Sequence, residues 1–109
     1  MNEEHQEMID LANRVEDTAE RMDLDYPIRG QFRKASSDAM RAIFESHDHH
    51  EAGNTQAAHA GLLVAGKHID TAAKLVTGAA GYPVDFGQAD GVKNHAEVLA
   101  NSYKNAFRS

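Results

Sequence analysis

Apolar residues recur at intervals of three and four along most of the chain, the signature of amphipathic helices. The first stripe is Met8, Leu11, Ala12, Val15, Ala19 and Met22, which predicts a helix over residues 3–23. Asn2 suits its N-cap, and Glu3 and Glu4 suit the positive end of its dipole. Asp23-Leu24-Asp25-Tyr26-Pro27 then breaks the pattern. Pro27 is placed to open a second helix, since its missing N–H would be unpaired there anyway. Ile28, Phe32, Ala35, Ala39, Ala42 and Ile43 carry the second stripe, widened by Met40 and Phe44, and the periodicity runs to Glu51.

Ala52-Gly53-Asn54-Thr55 spells a tight turn, with Gly53 free to take the left-handed conformation and Asn54 or Thr55 capping the next helix. A connection this short makes the flanking helices antiparallel neighbours. The third helix repeats Ala58, Leu62, Ala65, Ile69, Ala72 and Val76 without a fault. Beside that row runs a second, Ala57, Gly61, Val64, His68 and Leu75, so the apolar surface is wide and predicts neighbours on two sides. Within it Ala57, Gly61 and Ala65 are small enough for another backbone to pack closely. Gly78, Gly81 and Pro83 end this helix, and a linker continues to Gln88. Val92, Ala96, Leu99, Tyr103, Ala106 and Phe107 then mark a fourth helix. No strand pattern or internal repeat interrupts the series. The expectation is one all-α domain over residues 1–109, a four-helix bundle or a stack of antiparallel helical hairpins.

Composition changes this picture in two ways. Alanine dominates the apolar fraction, Trp is absent, and seven Phe and Tyr residues supply all the aromatic area. Small residues bury little surface each, at roughly 25 cal/mol per Å², so the core is thin and self-association is expected. The net charge of −6 is also uneven. Residues 1–25 hold nine acids against Arg14 and Arg21, so the acidity belongs to the first helix and the remainder is nearly neutral. There is no cysteine, hence no disulfide and no thiolate metal site. No apolar run approaches the ~18 residues of a membrane span, and the polar, acidic start does not read as a signal peptide. The expected setting is cytoplasmic, without membrane partners.

Candidate chemistry gathers at two places. His47 shares a helix face with His50 and with Glu51, and the hairpin turn brings His59 toward the same end. Imidazole and carboxylate at this spacing can bind Zn²⁺ or another divalent metal. The same spacing also fits solvated histidines favoured by the negative end of a helix dipole. A di-iron centre is not expected, because Glu-x-x-His pairs are missing. The second place is the basic start of the second helix, Arg29, Arg33 and Lys34, extended by Arg41. There a helix N-terminus and guanidinium groups can hold a phosphate, a nucleotide or a nucleic-acid backbone. The alternative is that these bases pair with the acidic face of the first helix. His68 reads as a core histidine, and His95 and Glu97 lie on different faces. No serine sits in a strained turn, and the glycine pairs lack the strand and lysine of a phosphate loop. The chain therefore reads as non-enzymatic, an active site between subunits excepted, and needs no cofactor unless the histidines bind metal.

Three stretches, Arg29-Gly30-Gln31-Phe32-Arg33-Lys34, Ala42-Ile43-Phe44-Glu45-Ser46-His47 and Asn94-His95-Ala96-Glu97-Val98-Leu99-Ala100, together resemble the N-terminal helices of the translin family. The order of features is shared: a basic start, an aliphatic run ending in histidine, a short turn, an alanine-rich helix and a proline-containing linker into a helix bearing a carboxylate. The likeness spans about two-thirds of the chain at the level of pattern. It implies an all-α, ring-forming protein that binds single-stranded RNA or DNA, and it carries over no catalytic residue, since Glu97 stands alone. The functional expectation is a small oligomeric helical binding or adaptor protein. An anionic ligand on Arg29, Arg33, Lys34 and Arg41, a translin-like nucleic-acid assembly and a metal-binding bundle are its variants.

Overall fold

A computed structural model of the chain describes residues 1–87 and 91–107. Four helices follow one another: α1 (Glu3–Met22), α2 (Ile28–Glu51), α3 (Thr55–Ala80) and α4 (Val92–Ala106). No strand occurs among the described residues. The fold is an all-α antiparallel bundle, running up-down-up-down. α3 touches all three other helices and pairs most extensively with α2, while α1 also meets α2 and α4. Among the described residues α2 and α4 make no backbone approach, so they occupy opposite corners.

Local chemistry sets each helix end. The Asn2 side chain accepts from the His5 N–H at 3.1 Å and caps α1. Asp23 closes that helix with φ 52°, in the left-handed region that Asp tolerates better than most residues. Pro27 stands at the N-cap of α2, one residue before its predicted place as the first helical residue. At the hairpin, Gly53 takes φ 81°, and its N–H and that of Asn54 return to the carbonyls of His50 and His49 at 3.0 and 2.8 Å. Asn54 then caps α3 by accepting from Ala57 N–H at 3.1 Å. α3 runs a turn beyond the predicted end at Val76, through the exposed Gly78 to Ala80. It stops where Gly81 turns to φ 76°. The predicted linker reaches Gln88, which lies outside the described residues. Its nearer part folds back on the bundle, burying Phe86 and setting Gly87 against the Arg14 side chain.

The core follows the predicted stripes closely. Ala58, Leu62, Ala65, Ile69, Ala72 and Val76 are all at most 2% exposed. Burying Leu62 and Ile69 contributes about 1.5–3 kcal/mol each. Two glycines let backbones approach. A Cβ on Gly61 would lie 2.8 Å from the Ser46 Cβ of α2, and one on Gly66 would lie 2.9 Å from the Ala96 Cβ of α4. The small-residue row expected to receive another backbone is thus partly filled from within: Gly61 receives α2, and Ala65 is fully buried. Phe44 departs from its predicted stripe. It is 47% exposed, on the side of α2 turned from the core.

Candidate functional site

The up-down topology brings the first turn of α1, the last turns of α2, the first turn of α3 and the end of α4 to one pole. His5 stands at its centre, fully buried. Its burial follows from helical spacing, since it lies three residues before Met8 on the stripe that continues through Leu11 and Val15. His47 and His50 of α2 flank it, with ring centroids 6.0 and 5.9 Å away. Tyr103 of α4 meets it edge-on at 5.3 Å. The His50 Nδ1 and the Tyr103 hydroxyl are hydrogen-bonded at 2.8 Å, and Phe107 packs on both rings.

A chain of hydrogen bonds crosses the pole. His5 Nδ1 meets the Asn2 carboxamide oxygen, His5 Nε2 lies 2.7 Å from Ser46 Oγ, and Ser46 Oγ donates to the Ala58 carbonyl at 2.5 Å. With the serine proton committed to Ala58, the ring must donate from Nε2 to Ser46. These three links need three protons, and a neutral His5 together with Ser46 supplies two. An imidazolium would complete the link to Asn2. A charged hydrogen bond contributes about 1.5–3 kcal/mol, whereas burying an uncompensated ion costs several kcal/mol. Burial therefore prevails, reinforced by His50, His47 and the terminal amino group, and the ring pKa falls from 6.5 to about 4. The Ser46 bond opposes this shift without reversing it. His5 is neutral at pH 7. Burial, then the charge of Glu4, pushes the Tyr103 phenol up.

The predicted metal-ligating residues are dispersed around this centre. His47 and His50 join it, whereas Glu51 lies outside, 3.7 Å from His47 Nε2 and mostly exposed. His59 is half-buried, its Nε2 enclosed without a hydrogen-bond partner, as is His47 Nδ1. Among the described residues no three His, Asp or Glu side chains stand where one ion could be held. His5, Ser46 and Asn2 were missing from the sequence-based site. The period that leads from Met8 back to His5, and from Ala42 on to Ser46, is the signal that could have found them.

At the opposite end the predicted anion-binding residues face acids. Arg29 donates to the Leu24 carbonyl at 3.0 Å and pairs with Asp23 at 3.4 Å. The Arg29 N–H is itself bonded to the Asp25 carbonyl at 2.9 Å, so the start of α2 presents fewer free donors than its position promised. Arg33 borders a cleft of about 290 Å³ shared with Glu16, Glu20 and Asp23. Lys34 bonds Asp38 at 3.0 Å and, with His68 and Arg41 nearby, holds that carboxyl below the usual range. Lys34 and Arg41 thus serve an acid on their own helix, and His68 is half-buried at the α2–α3 seam. His95 is half-buried, while Glu97 lines a separate α3–α4 groove with Lys67 and Lys93.

No helix among the described residues is long and apolar enough to cross a membrane. The class of protein defined by fold and site is an antiparallel four-helix bundle with a buried histidine pole. No family profile matches the chain, and no curated protein or solved structure matches it.

Proposed function

We propose that this protein is a non-enzymatic helical binding module that self-associates through the outer face of the α2–α3 hairpin. The observation that carries this reading is a groove of about 320 Å³ along that seam. Ala57, Ala60, Gly61 and Val64 line it from α3, at the i, i+3, i+4, i+7 spacing of a single stripe. Ala42 and Glu45 border it from α2. Ala60 is exposed and Val64 is 45% exposed. Small side chains let two helix axes come within the short end of the usual 8–10 Å separation. A second copy suits the groove because a two-fold axis beside Ala60 and Gly61 sets Ala57 of one copy opposite Val64 of the other. The other exposed large apolar residues, Met1, Tyr26, Phe44, Leu63, Tyr82, Val98 and Phe107, are scattered over the helices and their ends, as on most protein surfaces.

Sedimentation equilibrium between 5 and about 200 μM, a span bracketing the micromolar affinities of modest interfaces, tests this. A dimer is expected, dissociated by the double substitution Ala60→Glu and Val64→Glu. Both sites are on the surface of the isolated chain, so the helical circular dichroism of the variant is expected to be unchanged. A wild-type monomer throughout, or a dimer indifferent to both substitutions, would overturn the reading.

A further inference from the structure

We propose that the histidine pole is an acid-triggered latch: protonation of His5 releases the first turns of α1 from the ends of α2, α3 and α4, while the α2–α3 hairpin stays folded. His5 is the fastener because it is fully buried and linked to Ser46, which in turn binds the Ala58 carbonyl, so three helices meet through one ring. Among the described residues no carboxylate is bonded to the ring, and a proton on Nδ1 gains only the Asn2 carboxamide oxygen as a partner. The groups that act on its charge are His50 and His47 from α2 and the terminal amino group beside α1, all positive when charged. Tyr103 is the titratable group that faces it from α4, and His59 lies at the same end on α3. Of the acids nearby, Glu51 is engaged with His47 and mostly exposed, and Glu4 acts on Tyr103. His5 also lies in the first turn of α1, where the helix dipole disfavours a cation.

The movement is local for a packing reason. α2 and α3 share the most extensive contact in the bundle, and α1 meets each of its neighbours over less. Moving the first turns of α1 outward rehydrates His5 at once, without separating that hairpin. Release would uncover Tyr103, Met8 and Ser46, all fully buried in the closed form, and open an imidazole-lined cavity at the end of the bundle. The ring pKa of about 4 in the closed pole, against 6.5 in water, sets the scale. Protonation linkage raises the ratio of open to closed forms roughly 30-fold between pH 7.5 and pH 5.

Hydrogen–deuterium exchange read by mass spectrometry tests this, with protection factors corrected for the pH dependence of intrinsic exchange. Protection of the segment spanning Glu3 to Leu11 is expected to fall by more than tenfold at pH 5 relative to pH 7.5, the lower side of the linkage figure. Protection across the middle of α3 is expected to stay above that of the first turns at both pH values, falling only as far as global stability falls. His5→Gln, which keeps a polar side chain and cannot titrate, is expected to abolish the response. Unchanged protection at the first turns, α3 protection falling to the level of the first turns, or a full response in His5→Gln would each overturn the latch. Should His5→Gln fail to fold, NMR titration of the His5 ring in the wild-type chain decides. A midpoint well below 6.5 with line broadening in the first turns of α1 supports the latch, and a midpoint at or above 6.5 overturns it.

Discussion

The two ends of this bundle both gather basic side chains and treat them in opposite ways. At the histidine pole His5, His47 and His50 are drawn together, and the central ring is sealed from water. At the other end Arg29 and Arg33 stay at the surface beside Asp23, Glu16 and Glu20. The difference lies in pairing. An exposed guanidinium keeps most of its hydration and a nearby acid, so it alters stability little. A buried imidazole without a carboxylate cannot hold a proton cheaply, so it links stability to pH. One end is expected to resist change in charge, and the other to respond to it.

The comparison breaks most readily at Tyr103. Tyr103→Ala removes a fully buried ring and the hydroxyl paired with His50, and truncating an aromatic core side chain costs about 3–5 kcal/mol. Tyr26, 86% exposed at the other end, is the matched control, and Tyr26→Ala is expected to stay within about 0.5 kcal/mol. Urea unfolding at pH 7 measures both. Equal losses would mean that the pole is no better packed than the far end.

Acid sharpens the contrast next. The folded His5 pKa of about 4 lies below its unfolded value of 6.5, so between these pH values the unfolded chain binds more protons. Stability is therefore full above pH 6.5 and declines as pH falls toward 4. A gap of this size amounts to about 3 kcal/mol if the pole stays closed. Release of the first turns of α1 would cap the loss at the free energy of that release, so a loss well below this figure supports the latch. Urea unfolding of the wild type and His5→Gln across pH 4–7.5 measures it. A stability that does not fall toward pH 4 would end the account of the pole.

The smallest effect is expected where charge is most conspicuous. Arg29→Ala combined with Arg33→Ala removes two bases from the acidic end, with an expected cost of about 0–1 kcal/mol per pair, vanishing in high salt. Thermal unfolding at low and high salt checks it. A loss above 2 kcal/mol would show that this end is as tightly organised as the pole.

Much of the architecture was legible in the residues. The stripes of all four helices, the cap at Asn2, the turn at Gly53-Asn54 and the central place of α3 follow from spacing and local backbone preference. His47 and His50 were legible as neighbours, being one turn apart. Their actual companions were not. Ser46 read as an ordinary helical serine and His5 as part of a polar start, yet both complete core stripes. Phe44 read as core and faces outward.

Helical periodicity is a local property. Intervals of three and four decide which side of a helix is apolar, and the short capped turn at Gly53-Asn54 makes α2 and α3 antiparallel, so the sequence by itself determined an all-α chain of four helices, in a bundle or in stacked hairpins. It did not determine which side chains meet across helix ends. That depends on the relative axial offset and rotation of helices far apart in the chain, set where Gly61 admits Ser46 and Gly66 admits Ala96. Only the tertiary structure decided that His5 would be sealed beside two other histidines, because Ser46, 41 positions away, and Tyr103 of α4 close over the ring.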